Sequence, residues 1–261
     1  WDPAHALADA ARAAILPHFR AHGLDAENKQ AEGFDPVTVA DRAAEEAMRG
    51  LLAARRPEDG ILGEELGTTS GSSGLTWVLD PIDGTFNYSA GLPSAGTLLA
   101  LLDDGVPVLG LTWLPLVGQR FTAARGGPVR LNGEALPKLT ERPLSDSMIG
   151  FGAFNIASRG RIPGLFRVRI LEELSRVSSR LRMHGATGVD LAYTANGVLG
   201  GCVVFGHRAW DNAAGALAVQ AAGGVVTDLF GNPWTIDSGS VLAGSPGAHE
   251  ELLAVIAELG D

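Results

Sequence analysis

The sequence predicts an α+β fold in which helices are layered against mixed sheets, and three features predict it. Apolar residues recur at helical spacing towards both ends, short apolar runs broken by Gly, Pro and Asp fill the stretch from Ile61 to Ala124, and helical and strand-like segments alternate from residue 161 on. With 261 residues, 46% of them apolar, the chain can bury a core of one large domain. The expectation is a single domain over 1–261, with an N-terminal lobe to about residue 140 and a C-terminal lobe over about 141–261.

The elements follow in order. Leu7, Ala11, Ala14 and Ile15 give the stretch from Trp1 to Ala21 a helical face, and Asp35-Pro36 opens a second helical pattern to about Arg55. Strands are expected at Ile61-Leu62, Leu75 to Leu79, Gly96 to Leu102, Val106 to Leu114 and Gln119 to Ala124. Thr68 to Gly74 reads as a flexible loop. Helices are expected over 161–178, Gly188 to Asn196, Asp211 to Ala222 and Pro246 to Leu259, with strands at Cys202 to Phe205 and Val225-Val226. No internal repeat points to a solenoid or propeller.

Composition narrows the function. A formal charge of -10 and a pI near 5.0 oppose nucleic-acid binding, which needs a basic surface. No apolar run reaches the ~18 residues of a membrane span and no signal-peptide pattern is visible, so a soluble, cytoplasmic protein is expected. Cys202 is the single cysteine, which leaves neither a disulfide framework nor a thiolate cluster. Any metal must be held by oxygen.

The strongest local signal is Trp77-Val78-Leu79-Asp80-Pro81-Ile82-Asp83-Gly84-Thr85, an apolar strand running into two carboxylates. Pro81 favours a sharp turn that aims Asp80, the Ile82 carbonyl and Asp83 together, and Gly84 lets the backbone approach a ligand. The amides of Gly84 and Thr85 open a helix, a ready place for phosphate. Alone, this would read as an Asp-rich turn with Thr85 as a helix cap. Glu64 and Glu65 after another short strand, Asp41 on the second helix and Asp211 opening an Ala-Gly-rich helix each have a bland reading too: solvated turn, surface charge, N-cap. Together they supply the hard oxygen donors that magnesium takes.

Through Asp80-Pro81-Ile82-Asp83-Gly84-Thr85, Gly63-Glu64-Glu65 and Trp210-Asp211-Asn212-Ala213-Ala214-Gly215, the chain resembles the inositol monophosphatase family of lithium-sensitive phosphatases. Gly91-Leu92-Pro93, Gly110 to Pro115, Ser175 to Gly185 and Phe205 to Trp210 resemble its actinobacterial members most. The resemblance implies a layered αβαβα sandwich of the inositol monophosphatase and fructose-1,6-bisphosphatase type, and hydrolysis of myo-inositol monophosphate without a covalent phosphoenzyme. It implies two or three Mg2+ ions. Glu64, Asp80 and the Ile82 carbonyl would hold the first; Asp80, Asp83 and Asp211 the second; Glu65 a third. Glu64 and Thr85, with Asp41 behind Thr85, would orient the attacking water. Asp83, Gly84, Thr85, Gly185, Ala186, Thr187 and Asp211 would border the phosphorylated metabolite, with Asp190 on the next helix. A homodimer is implied as well.

One departure bears on substrate. Inositol-preferring members carry a Glu seven residues before the Trp-Asp aspartate, where this chain has Val204. Histidinol phosphate, fructose 1,6-bisphosphate and 3'-phosphoadenosine nucleotides are therefore kept as alternatives, and a non-catalytic metal-binding scaffold is the alternative of another class. Elsewhere, His184 and His207 read as structural hydrogen-bonders, Arg176, Arg180 and Arg182 as a solvated helix face, and Trp113, Trp210 and Cys202 as packing residues.

Overall fold

The computed structural model describes residues 1–20, 27–28, 36–154, 156–157 and 161–260. Helix α1 (Asp2–Ile15) has Pro3 in its first turn and buries Leu7, Ala8, Ala11 and Ile15. A 3₁₀ turn at Leu16–His18 follows it, so the α-helix stops at Ile15, ahead of Pro17, short of the predicted end at Ala21, which lies outside the described residues. Strands β1 (Glu27–Asn28) and β2 (Pro36–Val37) pair antiparallel.

The second helix was expected from Asp35-Pro36. Asp35 lies outside the described residues and Pro36–Val37 is strand; α2 (Val39–Arg55) starts after Thr38. A reciprocal cap decides the boundary: Thr38 Oγ1 accepts the Ala40 amide at 3.2 Å, and the Asp41 carboxylate accepts the Thr38 amide at 2.8 Å.

Eight strands form the first sheet: β3 (Gly60–Gly63), β4 (Gly67–Thr69), β5 (Leu75–Asp83), β6 (Gly96–Asp103), β7 (Val106–Leu114), β8 (Gln119–Ala124), β9 (Arg130–Leu131) and β10 (Glu134–Ala135). Their order is β10-β9-β8-β7-β6-β5-β3-β4, with only the β3–β5 pair parallel. The predicted Thr68 loop begins instead as β4, which doubles back on β3 with Gly67 at φ 71° making the turn. Between β5 and β6 sits the short helix α3 (Thr85–Ser89).

The second sheet has order β12-β11-β13-β15-β14. It is built from β11 (Met148–Phe151), β12 (Arg180–Arg182), β13 (Gly201–Val204), β14 (Val225–Thr227) and β15 (Val241–Gly244). Helices α4 (Gly164–Val177), α5 (Thr187–Ala195), α6 (Ala209–Ala221) and α7 (Pro246–Gly260) alternate with these strands. The predicted basic helix face is divided: Arg176 is on α4, paired with Glu172 and Glu173, while Arg180 and Arg182 lie on edge strand β12.

Five layers result. Helices α1 and α2 pack Leu7, Ala44 and Met48 on Trp77, Leu79 and Leu99 of the first sheet. Alternation along β5 turns Val78 the other way, into a middle layer where Leu191 of α5 and Ala213 to Leu217 of α6 meet Val204, Val226 and Val241 of the second sheet. Helix α6 is rich in Ala because it is hemmed in: a Cβ added at Gly110 of β7 would lie 2.7 Å from the Ala214 carbonyl oxygen. Helices α4 and α7 cover the outer face through Ile170, Leu174, Leu252 and Ile256. Among the described residues no helix is long and apolar enough to cross a membrane.

Candidate active site

The Asp80 to Thr85 run lies where β5 leaves its register. Asp80 stands opposite Leu98 and Asp83 opposite Gly96, so one extra residue is accommodated between them. The expected sharp turn is therefore a β-bulge inside the strand. Pro81 fits there because it has no amide to lose, and its carbonyl accepts the Thr97 hydroxyl at 2.9 Å. Gly84 then turns at φ 82°, with Ala186 Cβ and the Ser94 carbonyl each 2.9 Å from where a Cβ would stand. No other residue fits. Gly84, not Thr85, occupies the N-cap position of α3.

A cavity of about 220 Å³ opens on this run, lined by Glu64, Asp80, Ile82, Asp83, Gly84, Thr85, Phe86, Gly185 and Asp211. Glu64 enters from the end of β3, its amide donating to the Leu79 carbonyl at 3.1 Å. Asp211 enters from the first turn of α6, whose N-cap is Arg208, three residues before it, so Asp211 is not the cap the sequence suggests. Glu65 does not line the cavity. A larger hollow, about 670 Å³, lies against Trp1, His5, Trp113 and Arg120 and carries no carboxylate in its wall.

Asp41 is no surface charge; it is fully buried. The Thr85 hydroxyl stands 2.9 Å from the Ile82 carbonyl and 3.3 Å from Asp41 Oδ1. One hydroxyl proton serves both acceptors, so Thr85 has only lone pairs to offer a third partner. The amides of Thr187 and Gly188 donate to Asp83 at 3.0 and 2.6 Å, setting that carboxylate on the N-terminus of α5. Asn87 ties the same segment down by donating to the carbonyls of Ser94 and His184. Of Gly185, Ala186 and Thr187, only Gly185 reaches the cavity wall; Ala186 packs on Gly84.

The electrostatics are strained. Burial, then the charges of Glu64, Asp83 and Asp211, push the Asp80 carboxyl well above the usual carboxylate range. Burial outweighs the two donated amides at Asp83 and pushes it up to about 7. Asp190 is raised by burial too, though its hydrogen bond with His184 Nδ1 (2.6 Å) pulls it back. His184 is thus the hydrogen-bonder the sequence suggests.

A hard divalent cation fits these residues. Asp80 is 1% exposed and its Oδ1 has no hydrogen-bond partner, a costly state for a carboxylate that a cation relieves. The other donors on the wall are all oxygen. As they stand the side chains are not closed into a cage: among the described residues no three His, Cys, Asp or Glu are gathered as a ready cation site.

Val204 is fully inside β13, opposite Val241, and does not line the cavity. Two residues the sequence reading passed over do bear on the site, Glu45 and Arg49. With Asp41 they recur every four residues along α2, on the flank of buried Ala44 and Met48, and that spacing was the available signal.

Five alternating layers with an acid-lined cavity at the bulge of a strand define the class: a layered αβαβα phosphatase, whose fold is shared with the solved Thermotoga maritima IMPase (TM-score 0.88, 27% identity, covering 99% of this chain and 97% of that one). The family model described as "Inositol monophosphatase family" matches residues 2–260. Among relatives, the inositol-1-monophosphatase ImpA of Mycolicibacterium smegmatis is 53% identical over 95% of this chain and 89% of its own. The probable inositol 1-monophosphatase ImpA of Mycobacterium tuberculosis is 48% identical over 100% and 94%. The chain belongs to the inositol monophosphatase family and is a phosphoric monoester hydrolase.

Proposed function

We propose that the chain hydrolyses myo-inositol monophosphate to inositol and phosphate with magnesium as its cofactor. The observation that carries the cofactor is the buried, unpartnered Asp80 oxygen on a wall shared with Glu64, Asp83, Asp211 and the Ile82 carbonyl. The names borne by the two mycobacterial relatives carry the substrate. The N-terminal lobe supplies most of the acidic wall and the C-terminal lobe closes it with Asp211 and Gly185.

In this reading Glu64, Asp80, Asp83, Asp211 and the Ile82 carbonyl hold two ions; Glu65, which stands off the cavity wall, is not among their ligands. Bound magnesium supplies positive charge that offsets the phosphate and acidifies water. Thr85 orients the attacking water by accepting from it, since its own proton is committed to Asp41 and Ile82; Glu64 is the second acceptor. The amides of Gly84 and Thr85 take phosphate oxygens, and Gly185 borders the inositol ring, with Ala186 and Thr187 packed behind it rather than on the cavity wall. An acidic protein can then turn over an acidic ester because its anionic wall is balanced by cations rather than by Lys or Arg. A cytoplasmic homodimer in which lithium competes with magnesium belongs to the same reading.

The substrate is tested by kcat/KM at one fixed magnesium concentration. Inositol 1-phosphate is expected to exceed histidinol phosphate, fructose 1,6-bisphosphate and 3'-phosphoadenosine nucleotides. A far higher value for any of those three would replace the inositol assignment.

A further inference from the structure

Glu45 is wholly buried and lines no part of the cavity, yet it shapes the turn from which Glu64 enters. Its Oε2 accepts the Glu65 amide at 2.8 Å; its Oε1 accepts the Leu66 amide at 3.2 Å and the Arg49 Nε at 2.8 Å. Arg49 reaches on to the Gly67 carbonyl and the Thr69 hydroxyl, so one ion pair grips the β3–β4 turn at both ends. The fit is close: a Cβ added at Gly63 would stand 1.9 Å from Glu45 Oε1.

Fold stability alone does not account for this pair. A buried ion pair is often replaced by apolar residues without loss of stability, and the flanking α2 positions Ala44, Met48 and Leu52 pack in just that way. What an apolar side chain cannot do is accept two backbone amides from a turn carrying two adjacent carboxylates. The amides bound by Glu45 fix the backbone at Glu65 and Leu66, and the Glu64 side chain is left facing the cavity.

We propose that Glu45, oriented by Arg49, is the positioning residue that aims Glu64 into the catalytic cavity and so sets the site's affinity for its divalent cation. The inference rests on the role given to Glu64 above.

The test compares E45Q, R49M and E64Q for the magnesium concentration at half-maximal turnover, for kcat and KM at saturating magnesium, and for the rise in Tm on adding magnesium without substrate. In E45Q an acceptor oxygen becomes an amide NH2 facing a backbone N–H. Half-activation is expected to need about 10-fold more magnesium, with kcat/KM down about 10- to 100-fold through kcat and KM nearly unchanged, as for groups that orient a metal ligand. The magnesium-induced rise in Tm should shrink in parallel. R49M keeps both amide bonds and should move the same quantities less. The E45Q/E64Q double variant should lose no more of the Tm response than E64Q alone, because the two residues act in series.

If E64Q turns over like the wild type, the reading of the cavity fails. If E64Q is inactive while folded E45Q matches the wild type in magnesium half-activation and Tm response, the positioning role alone is overturned. Should E45Q not fold, a wild-type magnesium response in R49M overturns it equally.

Discussion

Two buried aspartates are tied to the same strand, β5, one through Trp77 and one within it, and they are opposites. Asp59, just before β3, takes two nitrogens of Arg56 at 2.7 and 3.1 Å, the Ser73 hydroxyl at 2.8 Å and the Trp77 indole at 2.9 Å. Asp80, three residues along β5 from Trp77, has an oxygen with no partner. Burial works to raise both carboxyls, but at Asp59 the bonds from Arg56, Ser73 and Trp77 outweigh it and hold the group below its ordinary value. At Asp80 burial and three neighbouring carboxylates act together and the group is pushed up. Burial by itself does not mark a functional acid. The mark is a buried carboxylate left unsatisfied: among the described residues with an orphaned buried side-chain atom, Asp80 alone is an acid, and a charge costs most to leave unpaired.

The largest expected effects come from exchanging the two fates. D80N should lower kcat/KM by about 1000-fold or more, the order lost when a preorganised charge at a reacting centre is removed. Without magnesium the same variant should be more stable than the wild type, and it should gain less Tm from added magnesium. D59A should do the reverse: about 3 kcal/mol of stability lost through the stranded Trp77 and Ser73 donors, roughly 6 to 12 °C in Tm, with turnover per folded molecule retained. Thermal melts and initial rates on both variants check this, and a destabilised magnesium-free D80N would break the comparison.

The pH response of the magnesium-free protein should separate the two as well. For Asp83, raised to about 7 from an ordinary value near 3.9, the native state binds the proton more tightly than the unfolded chain. Stability therefore falls as pH rises between about 4 and 7, and Asp80 adds to the fall. Asp59 has the opposite sign: its contribution is present above the unfolded carboxylate value and is lost as pH drops through its lower native value. Denaturant titrations across pH 3 to 8 should show D80N flattening the upper limb and D59A the lower, each by about 1 to 3 kcal/mol.

This contrast also explains what the sequence disclosed. The five long or apolar strands from Ile61 to Ala124 were legible because their runs are apolar and their breaks are Gly, Pro and Asp. Strands β1, β2, β4, β9, β10, β11, β12 and β15 were missed; they are two to four residues long, and β11 and β15 are too thoroughly enclosed to alternate. The carboxylates at Asp80, Asp83, Glu64 and Asp211, which share one cavity, were legible because they crowd beside strand ends and Gly turns. Glu45, Arg49 and Asp59 were not. A charged residue on a helix or before a Gly reads as solvated, and only the partners brought by β3 and β4, absent from local sequence, make it internal.

The smallest effect sharpens the comparison most, since it acts on the residue that joins the two regions. Trp77 bonds Asp59 through its indole and packs with Leu79 on the α2 face of β5, while Asp80 belongs to the bulge beyond. W77F keeps an aromatic ring there and deletes one hydrogen bond to a carboxylate that retains Arg56 and Ser73. A loss of about 1 kcal/mol follows, near 2 to 4 °C in Tm. If the strand insulates the satisfied acid from the unsatisfied one, kcat, KM and the magnesium half-activation point should be unmoved. A shift in magnesium affinity without a matching change in Tm would mean that β5 transmits strain from Asp59 to Asp80, and that the two aspartates form one unit.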